Sequence, residues 1–210
     1  MAVDQYDVSL ISAFEQSILP PGYQGNVYNM SYKWTEIIPM TNAPMKILEI
    51  GSYHGANTCS LFTTYACHQD SEVHCVDPWS DYDGYDEYKG KQQSNYSLFI
   101  RNISRLSDDS LNKIHIHRML SQDIDGRFKD DTFDIIYIDG NHKKRYVLED
   151  AITSFKKLKP GGWLIFDDLQ DPEVSGTIQV FLAIYNEYFY PEAKVANAQL
   201  FLRKNLDGPV

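Results

Sequence analysis

The segment KILEIGSYHGA, residues 46–56, indicates how this chain begins its main folding unit. An apolar run from Lys46 to Ile50 leads directly into Gly51, and a helix-compatible stretch follows from Ala56. A short apolar run that stops at a glycine before a helical pattern is typical of a buried strand, a tight turn and a helix. We therefore expect a strand–turn–helix unit here.

The same order of elements recurs towards the carboxyl end of the chain. Further strands are predicted at EVHCVD (72–77), KIHIHRM (113–119), FDIIYID (133–139) and WLIFDD (163–168). Helical patterns separate them, and AKVANAQLFLRK (193–204) supplies one or two closing strands. This alternation predicts an α/β fold, a doubly wound and mostly parallel sheet with an antiparallel carboxyl-terminal strand. We expect one domain over residues 1–210, with a helical cap at 1–45 and the sheet core at 46–204.

Composition excludes several classes of protein. The 210 residues carry a net charge of −10, which disfavours a nucleic-acid partner because such a partner requires a basic face. Apolar runs stay well below the roughly 20 residues of a membrane helix, and the first residues do not resemble a signal peptide. The three cysteines lack metal-like spacing and read as reduced thiols. We therefore expect a cytoplasmic protein (in the host cytoplasm if the source is a virus) without a membrane partner.

Ligands of doubly wound sheets bind at the carboxyl ends of the strands, so the residues at those ends matter most. At the first end, Glu49 precedes Gly51 and Gly55 in a G-x-x-x-G pattern that suits a nucleoside without a diphosphate. A plain structural turn is the alternative for two such glycines. Asp77 ends the second strand, where a carboxylate can accept hydrogen bonds from ribose hydroxyls.

Together these features resemble the class I S-adenosylmethionine-dependent methyltransferases, over residues 46 to 204 and including the KPGG turn before the fifth strand. The resemblance implies a Rossmann-like core that binds S-adenosylmethionine. It implies adenine contacts from the Ser121 region, and Trp79 is expected to stack on adenine or line the mouth of the site. The implied cofactor-binding residues are Glu49, Gly51, Ser52, Tyr53, Gly55, Asn57, Asp77, Trp79, Ser121, Gln122 and Asp139.

Three further acids, Asp139, Asp167 and Asp168, follow the fourth and fifth strands. Clustered carboxylates repel one another, and a hard divalent cation such as Mg²⁺ or Mn²⁺ would offset that repulsion. The alternative is a helix cap and a turn. His142 lies three residues after Asp139 and is the candidate base for an acceptor hydroxyl, unless it is merely solvated beside the next helix.

The pattern D-x-x-H from Asp139, followed by the acid pair Asp167-Asp168, resembles the metal-dependent sugar O-methyltransferases that tailor macrolide deoxysugars, with relatives in bacterial and large-virus glycan gene sets. That resemblance implies Mg²⁺ on the three acids, His142 as base, and a sugar or oligosaccharide acceptor. Catechol-type enzymes, the alternative, place Lys three residues after the first acid, and here Lys143 is one residue off. A binding module without turnover is a third hypothesis, and a homo-oligomer stays open.

Overall fold

The computed structural model describes residues 17–82, 85–86, 88–108 and 110–209. Its seven-stranded sheet has the order β3-β2-β1-β4-β5-β7-β6. Strands β1 to β5 pair in parallel, whereas β7 pairs antiparallel with both β5 and β6. The strands are β1 (Lys46–Ile50), β2 (Glu72–Val76), β3 (Ile114–His117), β4 (Phe133–Ile138), β5 (Leu158–Phe166), β6 (Lys194–Ala196) and β7 (Gln199–Arg203). The predicted doubly wound α/β fold is confirmed.

Helices connect the parallel strands and cover both faces of the sheet. One face packs mainly against α1 and α2, the other against α5 and α6, which gives two apolar cores. The α-helices are α1 (Ala56–Thr64), α2 (Gln92–Ile103), α3 (Ser110–Lys113), α4 (Ile124–Arg127), α5 (Lys144–Lys157) and α6 (Pro172–Tyr185), and the 3-10 helices are Ser31–Glu36, Ser121–Asp123 and Asn186–Tyr188. None of the helices within the described part of the chain is long and apolar enough to cross a membrane.

The amino-terminal segment packs into the core of the sheet domain. Within the predicted helical cap, the structure forms the short 3-10 helix Ser31–Glu36. Trp34 within it is fully buried, and its Nε1 donates a hydrogen bond of 2.8 Å to Gln199 on β7. The segment from Leu19 to Ile38 therefore contributes side chains to the core, while residues 1–16 of the predicted cap lie outside the described residues.

The fifth strand begins earlier than the sequence pattern suggests. Helix α5 ends at Lys157, and β5 runs from Leu158 through the predicted Pro160–Gly162 turn. The pairing with β4 shifts inside this stretch, because Phe133 faces Leu158 whereas Ile135 faces Trp163. The turn residues are accommodated as an irregularity of the strand instead of a loop before it.

Candidate active site

A cavity of about 390 Å³ opens at the carboxyl ends of β1, β2, β4 and β5. Strand pairing brings these ends to one edge of the sheet, the expected ligand position in a doubly wound fold. Nine of the predicted site residues line it, namely Gly51, Tyr53, Asp77, Ser121, Gln122, Asp139, His142, Asp167 and Asp168.

Gly51 makes the turn after β1 in a conformation that no other residue would adopt without strain. Its φ is +86°, and a Cβ atom at this position would lie 1.9 Å from the carbonyl oxygen of Asp139. Only glycine therefore lets β1 and β4 end side by side at the cavity. The G-x-x-x-G pattern thus has a steric cause at its first position.

Asp77 is held in place by backbone donors on both sides. Its Oδ2 accepts a hydrogen bond of 3.0 Å from the Tyr53 N–H, and its Oδ1 accepts one of 2.8 Å from the Trp79 N–H. Burial raises the pKa of this carboxyl, while those backbone hydrogen bonds lower it. Each oxygen retains acceptor capacity, so the carboxylate fits the predicted role of binding a ribose.

Trp79 lies in the core, which corrects the expectation that its ring stacks on adenine or lines the mouth. The side chain is 1 % exposed, and its ring centroid is 4.6 Å from that of Phe99. Its Nε1 donates to the Tyr53 carbonyl oxygen at 2.9 Å. Trp79 therefore supports the Tyr53 turn from behind, a role that its position after Asp77 did not reveal.

Four further predicted cofactor residues stand behind the cavity wall. Glu49 is buried, where it accepts hydrogen bonds from Asn57 Nδ2 at 3.0 Å and from Thr58 Oγ1. Burial raises its pKa, and those hydrogen bonds oppose the rise. Ser52 and Gly55 likewise do not line the cavity. Glu49 and Asn57 thus form a hydrogen-bonded support for the turn.

The predicted adenine side carries a buried acid that the sequence pattern did not single out. Ser121 and Gln122 line the cavity from the 3-10 helix Ser121–Asp123. Behind them Asp150 of α5 accepts a hydrogen bond from Ser121, and burial raises the pKa of Asp150 to about 7. Its position in an amphipathic helix gave no signal of this contact.

The acids after β4 and β5 lie together, as predicted. Asp139 is half-buried, and this burial, reinforced by the charges of Asp167 and Asp168, holds the pKa of Asp139 well above its usual range. The Tyr137 hydroxyl stands between two of them, 3.2 Å from Asp139 Oδ2 and hydrogen-bonded to Asp167 Oδ2. Such a cluster requires a counter-charge or bound protons.

Asp167 is fully engaged by protein donors. The Asn29 amide lies 2.8 Å and 3.1 Å from its two oxygens, and the Asp168 N–H donates to Oδ1 at 2.8 Å. With the Tyr137 hydroxyl, these contacts fill the roughly four acceptor positions of a carboxylate. Asn29 and Tyr137 were missed by sequence reasoning, because their contacts with Asp167 join segments 138 and 30 positions apart in the chain.

His142 reaches the acid cluster directly. Its Nε2 lies 3.0 Å from Asp168 Oδ2, and its Nδ1 lies 3.9 Å from Asp171 Oδ2. The hydrogen bond from His142 holds the pKa of Asp168 below its usual range. Potential metal-ligating atoms of Asp139, His142 and Asp168 lie within 4.8 Å of one another. Two carboxylates and an imidazole fit a divalent cation, and Asp167 is outside this closest group.

Tyrosines form the outer wall of the cavity. The rings of Tyr82 and Tyr85 stack with centroids 5.4 Å apart, and Tyr53 packs against Tyr88 at 4.7 Å. Asn141, next to His142 in the chain, donates to the Tyr82 hydroxyl at 3.3 Å. The loop that carries these tyrosines is thus linked to the turn that carries His142.

The fold and this cavity define a class of protein, the S-adenosylmethionine-dependent methyltransferases. A family model described as a methyltransferase domain matches residues 48–169, more than half of the chain, and the chain belongs to that methyltransferase family. The search of curated proteins found no match.

Solved structures show the same fold at low sequence identity. The O-methyltransferase NovP superposes with a TM-score of 0.53 at 16% identity, over 78% of this chain and 73% of that chain. MycE of the mycinamycin biosynthetic pathway, solved with Mg and SAH, superposes with a TM-score of 0.52 at 17% identity. The match covers 84% of this chain but only 49% of the MycE chain. A Staphylococcus aureus protein provisionally assigned as a caffeoyl-CoA O-methyltransferase superposes with a TM-score of 0.55 at 13% identity, over 83% of this chain and 90% of that chain.

Proposed function

We propose that this methyltransferase transfers the methyl group to a sugar hydroxyl with the help of a divalent cation. The observation that carries the proposal is the group Asp139, His142 and Asp168, with ligand atoms within 4.8 Å of one another, in the same cavity as Asp77. One pocket thus offers a carboxylate that can accept hydrogen bonds from the ribose of the cofactor, and a group that can bind a cation and accept a proton. O-methylation requires both functions, because an alcohol is a poor nucleophile until its proton is removed.

The cofactor end of the cavity is formed by the turn after β1 and by the acid after β2. The Gly51 turn leaves room for a ligand against the main chain, Asp77 would accept hydrogen bonds from the ribose, and Ser121 and Gln122 would border the adenine. S-adenosylmethionine supplies an electrophilic methyl group on a sulfonium centre. The Asp77 carboxylate is half-buried, which limits the access of bulk water to its acceptor positions.

At the other end we assign Asp139 and Asp168 as the primary cation ligands, with Mg²⁺ or Mn²⁺ as the expected ion. Asp167 would contribute mainly by orienting Asp168, because its own oxygens are filled by donors from Asn29 and Tyr137. The cation would lower the pKa of a bound hydroxyl and neutralise the acid cluster. This differs from the ligand set that the family resemblance implies, in which all three acids bind the metal.

His142 is the proposed base. Its imidazole side chain is 40 % exposed, so it can reach an acceptor, and Asp168 at 3.0 Å would stabilise the imidazolium that forms when it takes the hydroxyl proton. Direct ligation of the cation by His142 is the competing role. An imidazole nitrogen that ligates the cation has no lone pair left to accept a proton. Nε2 can therefore act as the base or as a cation ligand, but not as both.

A sugar acceptor is supported by the D-x-x-H and D-D pattern and by the tyrosine wall. Aromatic rings pack on the apolar faces of sugars, and their hydroxyls offer hydrogen bonds at the rim. The same rings would also stack on a catechol, which keeps a phenolic acceptor as the second candidate. Lys143, adjacent to the position that a catechol-type enzyme fills with lysine, favours that candidate.

The test is a methyl-transfer screen with labelled S-adenosylmethionine, Mg²⁺ and two matched panels, free deoxyhexosides and catechols. We expect label in the glycosides, and loss of that label with EDTA and in an Asp168→Asn variant. Labelling of catechols alone would replace the sugar proposal with the phenolic one. Turnover that survives both EDTA and Asp168→Asn would overturn the role of the cation.

A further inference from the structure

A second group of histidine and carboxylate side chains lies on strands β2 and β3, away from the cavity. Glu72 and His74 alternate along β2, and His115 and His117 alternate along β3, so all four project from one face of the sheet. The register places His74 directly opposite His115. Glu72 begins β2, about 16 Å of extended strand before Asp77 at the active-site edge.

The side chains converge on one spot. The rings of His74 and His115 stack with centroids 4.7 Å apart, and His74 Nε2 lies 2.9 Å from Glu72 Oε2. Potential ligand atoms of Glu72, His74 and His115 lie within 4.8 Å of one another. Ligand atoms around a tetrahedral Zn²⁺ are about 3.3 Å apart. Side-chain rotations that move these atoms by about an ångström would therefore bring them to the spacing that Zn²⁺ requires.

His117 fixes the orientation of the central imidazole. Its Nε2 lies 2.9 Å from His74 Nδ1, while the edges of Phe128 and Phe133 pack against the His74 ring at centroid distances of 5.2 Å and 5.4 Å. When His74 carries its proton on Nδ1 and donates it to His117, the lone pair on Nε2 points to the Glu72 carboxylate. Metal-ligating histidines are commonly oriented by such a hydrogen bond on the opposite nitrogen.

We propose that Glu72, His74 and His115 form a second cation site, suited to Zn²⁺ or a similar transition ion and separate from the catalytic cation. Two imidazoles and one carboxylate are typical Zn²⁺ ligands, and a water molecule would complete the tetrahedron. Hard Mg²⁺ disfavours such a set, so the two sites would select different ions. The side chains of Glu72 and His74 are 30 % and 12 % exposed, which leaves a path for the ion at the β3 edge of the sheet.

Glu72 forms an ion pair with a lysine through one carboxylate oxygen, and its other oxygen faces the proposed site. Lys46 Nζ lies 3.0 Å from Glu72 Oε1, whereas Oε2 faces His74. The positive charge of Lys46 stabilises Glu72 as a carboxylate, the form that ligates. The same contacts would suit a solvated polar sheet edge that binds no ion, and the experiment separates these two roles.

Zn²⁺ is titrated by calorimetry into the full chain carrying Asp168→Asn, which removes a proposed ligand of the catalytic cation. We expect one strong equivalent of Zn²⁺ in this background and at least about tenfold weaker binding when His115→Gln or Glu72→Gln is added. His68→Gln, on a half-buried histidine outside the group, is the matched control and should keep the strong equivalent. Circular dichroism and thermal melts confirm that each variant is folded.

Two results would overturn the site. One is Zn²⁺ affinity that is unchanged by both His115→Gln and Glu72→Gln in folded protein, and the other is the absence of strong Zn²⁺ binding in the starting background. Proton NMR adds an independent readout, because Zn²⁺ should shift the ring signals of His74 and His115 and leave those of His68 in place. None of these measurements depends on methyl transfer, so the outcome is independent of the proposed acceptor.

Discussion

The side-chain amide of Asn29 lies 2.8 Å and 3.1 Å from the two carboxylate oxygens of Asp167, a residue 138 positions later in the chain. The amino-terminal segment thus reaches the acid cluster at the end of β5. Asn29 itself has a φ of +40°, a backbone conformation that Asn tolerates better than most residues. The segment before β1 is consequently part of the site and fixes the direction of one acid.

Replacing Asn29 with Ala should weaken cation binding. Without the amide, Asp167 loses two hydrogen bonds that stabilise its charged form, and Asp168, which depends on it for orientation, becomes less well positioned. We expect Mn²⁺ affinity to fall by about 10- to 100-fold, measured by electron paramagnetic resonance with S-adenosylhomocysteine present. Asn26→Ala, in the same cavity wall, is the matched control. Equal affinity in Asn29→Ala and wild type would contradict the orienting role of Asn29.

Gly51→Ala should disrupt the cofactor turn. The added Cβ would meet the Asp139 carbonyl oxygen at 1.9 Å, and a φ of +86° disfavours any L side chain. We expect a loss of stability of about 2 kcal/mol or more, with binding of S-adenosylhomocysteine abolished. Gly176→Ala in α6 is the control, because its Cβ would meet nothing within 4 Å, and it should raise stability by up to about 1 kcal/mol. Similar melting temperatures for both variants would argue against the steric account.

Asp77→Asn should weaken cofactor binding while the fold persists. The amide replaces one acceptor oxygen with an NH₂ group that must face the N–H of either Tyr53 or Trp79, so both the turn and the ribose contact suffer. We expect at least about tenfold weaker binding of S-adenosylhomocysteine by calorimetry. Asp86→Asn removes a charge at an exposed position between β2 and α2 and should bind normally. Equal losses in both variants would point to overall charge as the cause.

Asp150 should make stability depend on pH. Its folded-state pKa of about 7 lies above the ordinary 3.8, so the folded protein holds a proton in a range where the unfolded chain has released it. The resulting stabilisation is complete below 3.8, falls as pH rises, and is gone above about 7. The free energy of unfolding of Asp150→Asn relative to wild type should therefore rise by about 2 kcal/mol between about pH 5 and about pH 8, measured by urea unfolding. A pH-independent difference would refute the buried, protonated acid.

Local patterns were sufficient to locate the parallel strands. Four of the five run directly into a glycine or an acid, and the third, β3, alternates isoleucine with histidine. Where sequence reasoning failed, the cause was a contact between distant segments. Trp79 lies two residues after Asp77, yet its ring packs against Phe99 on α2 in the core. No residue near Trp79 in the sequence indicates that packing. The Pro160–Gly162 stretch carried a strong turn signal, but pairing with β4 made it part of β5.

The site shows the same division. Sequence placed four acids at the cavity because they come directly after strands, namely Asp77, Asp139, Asp167 and Asp168, and it placed His142 there because it lies in the turn after β4. Asn29 and Tyr137 were not predictable, since both donate hydrogen bonds to Asp167, which lies 138 and 30 positions later in the chain. Functional residues that act on other side chains leave little trace in a single sequence.

Asp168 occupies the left-handed region with a φ of +54°, where glycine would be the least strained residue. Asp tolerates this region better than most residues, but it still costs about 1 kcal/mol relative to glycine, so the turn after β5 does not by itself require a carboxylate here. An acid with a left-handed backbone directly after the fifth strand can be recognised from coordinates without a sequence alignment. We expect this feature to identify the same arrangement of acids in proteins of this fold at sequence identities as low as those of NovP and MycE, 16% and 17%.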